Sequence, residues 1–559
     1  MKYRLYIFII FFISALNPLF SQVIIWTQQY DGGTNDQAFG IAVDLYLNAY
    51  VTGRKHNGTD HDYFTIKYDK DGNTVWTQQK DGGNGDDMAY DICIDPFENI
   101  YITGSKRNGA GNNNFFTVKY STSGVIIWTQ QQWFGISSGF ASGIDVDPYQ
   151  NVYLTGYRVT NSNYDFFTIK YDPSGNTIWT QIWNSGGNYD IGKGITVDKD
   201  LNVYVVGDKG MIADWVIIKY DPSGTSIWTQ YHNSGPMSED WANGVVVDSM
   251  GNIYVTGQKR LGDNRDFFTK KYDSSGSTVW TQQYETGKSY EYAKDIAIDS
   301  YDCIYVTGMK SNEFNLDFFT IKYDSDGNTV WTQQFDGGIG HDIPNGITVD
   351  REHNVYVAGE KFNGTDQDYL TIKIQQPPYV PSLTSAVLVS EDSIRLSWLD
   401  IPNENQYIIY RSLDGVNFSE LTMANKDSTG YVDTALEPDT KYFYRIATTN
   451  AAGKSLPSNI LQAQTTVYSI GQVIMAPNPF IPQSEDDLLS IFNLPFDFEL
   501  NVYSTGGSEV ARIDTSSING KYLWDVKNKN REPLKSGVYI CYFKDKKGNS
   551  KSLKLVVVR

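Results

Sequence analysis

The chain has 559 residues, with 65 acidic against 46 basic side chains and a formal net charge of −19. That balance excludes nucleic acid and anionic membrane surfaces as principal partners, because both are recognised through a basic footprint. The length asks for about three or four domains. Aromatics at 14%, with 40 tyrosines, favour strands over helices.

Residues 1–21 read as an export signal. Lys2 and Arg4 supply a basic start, and Ile7 to Ile13 is an apolar run too short to cross a bilayer. Asn17 and Pro18 end it, which places a cut near Ser21–Gln22. The expectation is a secreted or cell-surface protein with no transmembrane span after signal removal.

From residue 22 to 376 the chain is a repeat. Trp-Thr-Gln begins at Trp26, Trp76, Trp128, Trp179, Trp228, Trp280 and Trp331, at intervals of 49 to 52 residues. A second block, commonly Asn-x-Tyr-x-x-Gly, ends at Gly53, Gly104, Gly156, Gly207, Gly257, Gly308 and Gly359. A third, Asp-Phe-Phe-Thr-Ile-Lys-Tyr in its commonest form, places a lysine at Lys67, Lys119, Lys170, Lys219, Lys271, Lys322 and Lys373. Each unit holds four short alternating runs bounded by turn residues; in the second unit they are predicted at Ala89–Ile94, Asn99–Gly104, Phe115–Tyr120 and Val125–Gln130. Four strands at a period near fifty is the length of a propeller blade.

The ends of the array sharpen the expectation. The mature chain opens on a lone fourth strand, Val23–Tyr30, and the last unit stops after its third strand near Gln375. If the first strand completes the last unit, seven blades close and no long edge is left exposed. The fold class predicted is all-β: a seven-bladed β-propeller of four-stranded blades, its N-terminal strand closing the last blade, followed by two β-sandwich domains. The wording of "DPFENIYITG" and "DFFTIKYDPSGNTIWTQ" resembles the SBBP family of bacterial β-propeller repeats over residues 22 to about 376. That resemblance implies the fold and no particular activity.

Asp44, Asp95, Asp147, Asp198, Asp248, Asp299 and Asp350 recur before the turn that leads into the second strand. Seven aligned carboxylates raise calcium as a ligand. One carboxylate per blade cannot supply six to eight oxygens. Each is instead expected to accept backbone N–H groups within its turn, with Asn48, Asn99 or Asn151 in the left-handed position. Calcium is therefore unsupported, and no metal or cofactor is expected. Cys93, Cys303 and Cys541 lie far apart and suggest no disulfide framework or zinc site. No His-Glu-x-x-His occurs, and no catalytic residue is assigned.

Residues present in every copy read as scaffold, and the loops where copies differ are the candidates for binding. Two connections vary, between strands two and three and between strand four and the next unit, and both emerge on one face. That face is expected to carry Trp133, Trp183, Tyr189, Asp190, Trp215, Asp240, Trp241, Tyr292 and His341, joined by Phe134, Tyr290 and Glu291. Aromatics beside carboxylates suit an extracellular glycan or protein. The other reading is that these side chains fill the loops' own small cores.

Residues 377–382 form a proline-rich linker. Residues 383–467 resemble a fibronectin type III domain: Trp398 in "IRLSW" matches its core tryptophan, and Tyr442 in "LEPDTKYFYRIATTNAAGKS" its tyrosine-corner residue. Residues 470–559 resemble the C-terminal sorting domain of type IX secretion cargo and the related flagellar hook-cap Ig-like domain, through "APNPF", "IFNLP", "YLWDVKN" and "SGVYICYF". That resemblance implies the secretion machinery as a partner. The expected function is an exported binding or scaffold protein. The alternatives are a secreted polysaccharide hydrolase or lyase on a propeller scaffold, and a structural extracellular-matrix component.

Overall fold

The structure, a computed structural model, describes residues 22–559 apart from 84, 161–162, 188, 211–213, 236–237, 263, 286–289, 313, 391, 466–468, 485–486, 496–497, 515–519 and 547. The export signal predicted at residues 1–21 lies outside the described residues. Among these residues no helix is long and apolar enough to cross a membrane. The chain divides into two compact units between Gln376 and Pro377.

In the first unit the described residues form seven four-stranded antiparallel sheets. Six are consecutive in the chain, beginning at Gln37–Val43, Met88–Ile94, Gly139–Val146, Asp190–Val197, Glu239–Val247 and Glu291–Ile298. The seventh joins Ile343–Val349, Val355–Phe362 and Gln367–Gln375 to Val23–Tyr30, which pairs antiparallel with Gln367–Gln375 from Val23↔Gln375 to Tyr30↔Tyr369. The first strand of each sheet lies against that of the next, and Ile343–Val349 lies against Gln37–Val43. In the second repeat the strands of the second and third positions run further than their alternation suggests: Ile100–Arg107 and Asn113–Tyr120 extend together toward their connecting hairpin.

The cores lie between sheets. Tyr50 and Tyr63 of one sheet pack with Ala89, Ile92, Ile100 and Phe116 of the next, and the same arrangement recurs along the array. Second and third strands are buried on both faces, whereas the fourth strands, Thr-Val-Trp-Thr-Gln-Gln in type, alternate between exposed and half-buried residues. The repeated tryptophan of each fourth strand reaches the neighbouring sheet. Trp76 Nε1 donates to the Thr122 carbonyl at 3.2 Å and Trp128 Nε1 to that of Pro173 at 3.1 Å.

The repeated aspartate, tyrosine and lysine form one unit. Asp147 Oδ1 accepts the N–H groups of Tyr149 and Asn151 at 2.9 Å, and Oδ2 accepts Asn151 Nδ2 at 2.7 Å and the Tyr153 hydroxyl at 3.0 Å. Lys170 Nζ sits 4.9 Å from the centre of the Tyr153 ring. Asp44, Asp95, Asp198, Asp248 and Asp350 repeat the four-bond pattern with their own Asn and Tyr. Asp299 bonds the amides of Tyr301 and Cys303 and the hydroxyl of Tyr305. The left-handed residue of these turns differs from the expectation. It is Leu47, Glu98 and Gln150, at φ of 67°, 66° and 67°, one place before Asn48, Asn99 and Asn151. The asparagine instead bonds back to the aspartate through its side-chain amide, a task that needs its amide more than its tolerance of positive φ.

The second unit contains four sheets among its described residues. Two of them enclose Trp398, Tyr407, Tyr442, Tyr444 and Ile446. Trp398 lies 5.3 Å from the Tyr407 ring, and the Tyr442 hydroxyl accepts the Glu437 N–H at 2.9 Å. The other two enclose Leu500, Trp524, Cys541, Phe543 and Leu555. Cys303 and Cys541 are buried and Cys93 is half-buried, and none of the three is in a disulfide among the described residues.

Candidate binding layer on the inner strands

The side chains predicted on the variable loops do not share one setting. Trp133 is 59% exposed and Tyr189 is 41% exposed. Tyr189 stacks on Tyr164 at 4.9 Å, which continues through Tyr157 to Phe140. Phe134 turns inward against Phe115 and Phe167. Trp183 is half-buried against Phe166. His341 holds its loop by accepting the Leu316 N–H on Nδ1 at 3.0 Å.

Trp215, Asp190 and Asp240 are fully buried, so they are not displayed on the loop face. Trp215 packs against Phe268 and His232 within the core. Asp190 accepts the amides of Ser185 and Gly210 at 2.7 and 3.1 Å, and Asp240 accepts that of Ser234 at 2.6 Å. They have counterparts in Asp36, Asp87 and Asp342, which lock the same loop through Gly32, Gly82 and Gly337. These carboxylates belong to the repeated scaffold; the differing loop lengths hide their equivalence in sequence.

One oxygen each of Asp62, Asp81 and Asp87 lie within 4.8 Å of one another, as do those of Asp317, Asp336 and Asp342, and of Asp400, Glu404 and Asp427. In the first set the outer oxygens are already bound by backbone amides, Asp87 by Gly82 and Arg107 and Asp81 by Gly83.

A different set of residues converges on the first strands. Each first strand carries a register shift at one place, which leaves one residue unpaired. Those residues are Phe39, Tyr90, Ser142, Lys193, Asn243, Lys294 and Asn345. All seven are half-buried, and they differ in chemistry between copies. Two positions beyond, the pairs Gln37↔Arg54, Met88↔Ser105, Phe140↔Tyr157, Ile191↔Asp208, Trp241↔Gln258, Tyr292↔Met309 and Ile343↔Glu360 are equally unlike one another.

These residues contact each other from sheet to sheet. Lys193 Nζ pairs with Asp208 at 2.5 Å, donates to Asn243 Oδ1 at 3.1 Å, and lies 5.2 Å from the Trp241 ring. Asn243 Nδ2 donates to the Ala293 carbonyl and Asn345 Nδ2 to that of Ala38. Gln37 bonds Glu360, the Tyr90 hydroxyl reaches Met88 Sδ at 3.2 Å, and Phe39 lies 5.5 Å from Tyr90. Of the residues predicted from the loops, Trp241 and Tyr292 belong to this layer. The others in it escaped the reading because they sit inside strands; the signal was the variable second position in "AFGIAV", "AYDICI", "GKGITV" and "AKDIAI".

Beside this layer, Asp91, Asp145 and Asp295 stitch successive first strands. Asp91 accepts the Ile92 and Ile144 amides, Asp145 those of Val146 and Val197, and Asp295 those of Ile296 and Ile347, at 2.8 to 2.9 Å. Desolvation pushes Asp91 up to about 8, with the charge of Asp295 adding to the rise, and pushes Asp145 and Asp295 up to about 6. A carboxyl raised above its unfolded value of 3.8 holds more protons folded than unfolded. Its contribution to stability is complete below about pH 4 and falls as pH rises through the folded value. The urea midpoint should therefore fall between about pH 5 and pH 8, and Asp91→Asn should make that decline shallower. An unchanged slope in the variant would contradict the assignment.

Comparison with known proteins places the repeat in context. Residues 227–258 and 330–360 match the model of the SBBP β-propeller repeat family. Each stretch runs from Trp-Thr-Gln to the second-strand glycine. A cell adhesion molecule, Dscam2 of Drosophila melanogaster, is 26% identical over 118 residues, 20% of this chain and 6% of that protein's length. Among solved structures, PorZ, a surface component of the type-IX secretion system of Porphyromonas gingivalis, aligns over 93% of this chain and 74% of its own at 12% identity and a TM-score of 0.28. Chaetomium thermophilum Sqt1 covers 61% of this chain and 96% of its own at 10% identity and a TM-score of 0.40. A fibronectin-type-III-like protein from Clostridium thermocellum covers 16% of this chain and 90% of its own at 30% identity and a TM-score of 0.14.

Proposed function

We propose that the chain is an exported cell-surface or secreted binding protein, with residues 22–376 forming a closed seven-bladed β-propeller that holds its ligand at the inner-strand layer. A fibronectin type III domain at 383–467 and a C-terminal sorting domain at 470–559 follow a short linker at 377–382. The partner of the propeller is an extracellular glycan or protein, and that of the tail is the secretion machinery.

One observation carries the binding reading. Within the strands, the register-shift residues and the strand pairs next to them differ between the seven copies in size, charge and polarity, and these lie together. Packing alone would favour similar residues at equivalent positions of a repeat. Polar atoms in the same layer also lack partners: Arg54 Nε and both amide atoms of Gln258 are buried without hydrogen bonds among the described residues. Unmet buried polar groups at one site favour a ligand that completes them. Binding is favoured over catalysis because both carboxylates of the layer are engaged, Asp208 by Lys193 and Glu360 by Gln37.

The test is a glycan and peptide array probed with the full chain and with Trp241→Ala. Removing the half-buried indole should weaken the strongest hit about ten-fold or more, equivalent to about 1.4 kcal/mol. Equal binding by the variant would overturn the layer as the site. Separately, deleting residues 470–559 should abolish surface delivery in cell fractionation; unchanged delivery would refute the sorting role.

A further inference from the structure

Resting on the reading above, the inference concerns the class of ligand, and it comes from one sector of the layer. Gln258 is fully buried directly opposite Trp241, and neither its Nε2 nor its Oε1 has a partner among the described residues. Buried amides are almost always hydrogen-bonded, so a side chain with both ends unmet is set for something not belonging to the fold.

Two cations lie over the aromatic rings of this sector without a direct ion pair among the described residues. The Arg265 guanidinium carbon lies 5.4 Å from the centre of the Trp241 ring, and Lys294 Nζ lies 5.4 Å from that of Tyr292. Neither makes a hydrogen bond or an ion pair among the described residues. Lys193, on the other side of Trp241, is by contrast neutralised by Asp208. Burial lowers the Lys294 pKa, the nearby Lys193 charge lowers it further, and Glu360 acts against both. A desolvated ammonium with no direct ion pair is unfavourable alone.

We propose that the sector formed by Trp241, Gln258, Arg265, Tyr292 and Lys294 binds a carboxylate-bearing sugar, as in a uronic acid polysaccharide. The chemistry divides among the residues. Lys294 and Arg265 take the carboxylate. The half-buried indole and phenol offer faces to the C–H side of a pyranose ring. The Gln258 amide, at once donor and acceptor, suits a pair of ring hydroxyls. An acidic peptide would satisfy the cations but has no need of two aromatic faces beside a buried amide.

The experiment is calorimetric titration of the full chain with oligomers of galacturonate, glucuronate and mannuronate, with their neutral counterparts, and with an oligoglutamate. At least one uronate oligomer should bind ten-fold or more tightly than its neutral counterpart, and weaken as salt is raised. Lys294→Met and Gln258→Leu should each reduce that affinity at least ten-fold. Neither substitution leaves a new buried polar group, and an unchanged far-ultraviolet spectrum and melting temperature serve as the folding control. Neutral oligomers binding equally well, with loss in Trp241→Ala, would overturn the acidic class while leaving the layer as the binding site. Oligoglutamate binding as tightly as the uronates would overturn the sugar. Failure of every oligomer to bind would overturn the proposal outright.

Discussion

A chain beginning at Asp31, without Val23–Tyr30, should lose cooperative folding of its repeat unit. The missing strand leaves Gln367–Gln375 with an open edge along the register Val23↔Gln375 to Tyr30↔Tyr369. It also removes Trp26, whose ring packs between Tyr68 and Tyr356 and whose Nε1 donates to the Lys70 carbonyl at 3.2 Å. Loss of a buried tryptophan alone costs about 3–5 kcal/mol, and the strand's backbone bonds are lost with it. The melting temperature should fall by roughly 10 °C or more, with aggregation through the open edge. Adding a peptide of residues 22–31 should restore part of the loss. A truncated chain that melts within about 2 °C of the parent would show that the strand does not close the array.

Gly156→Ala should be a strongly damaging single-atom change in the repeat. A Cβ there would stand 2.0 Å from the Phe140 carbonyl oxygen and 2.8 Å from Ala141 Cα, both backbone atoms of the first strand. The register shift at Ser142 draws those atoms close, so neither can retreat without undoing the bulge. The expected loss is on the order of 3 kcal/mol or more. Gly109→Ala is the control, because a Cβ at Gly109 meets nothing within 4 Å; it should change stability by less than about 0.5 kcal/mol. Thermal denaturation of both variants decides the matter, and equal behaviour would contradict the close approach. The glycine that ends every second-strand motif is thus explained by the bulge opposite it.

Much of the architecture could be read from residue order. Trp-Thr-Gln spacing located the sheets, and the surplus strand at Val23–Tyr30 pointed to its partner at the far end of the array. Those signals are strong because burial forces the same residue types at the same strand positions seven times over. What the sequence concealed has a common physical cause. A β-bulge interrupts strict alternation, so the direction of Lys193 or Lys294 cannot be counted from its neighbours. Asp190 and Asp240 looked distinctive because their loops differ in length, yet each accepts the backbone amides that Asp36 and Asp87 accept in theirs. Trp215 replaces a core aromatic of other copies, and residue type alone does not tell an exposed indole from a buried one. Loops attracted attention by varying, while the more telling variation lay within the strands.

The most direct test of this division between repeated scaffold and varied inner layer is hydrogen exchange on the full chain, with and without the strongest array ligand. Protection is predicted in peptides covering residues 190–194, 239–243 and 291–294, with the loop at residues 57–60 and residues 377–559 unchanged. Protection confined to that loop or to residues 377–559, with the inner strands unaffected, would contradict it.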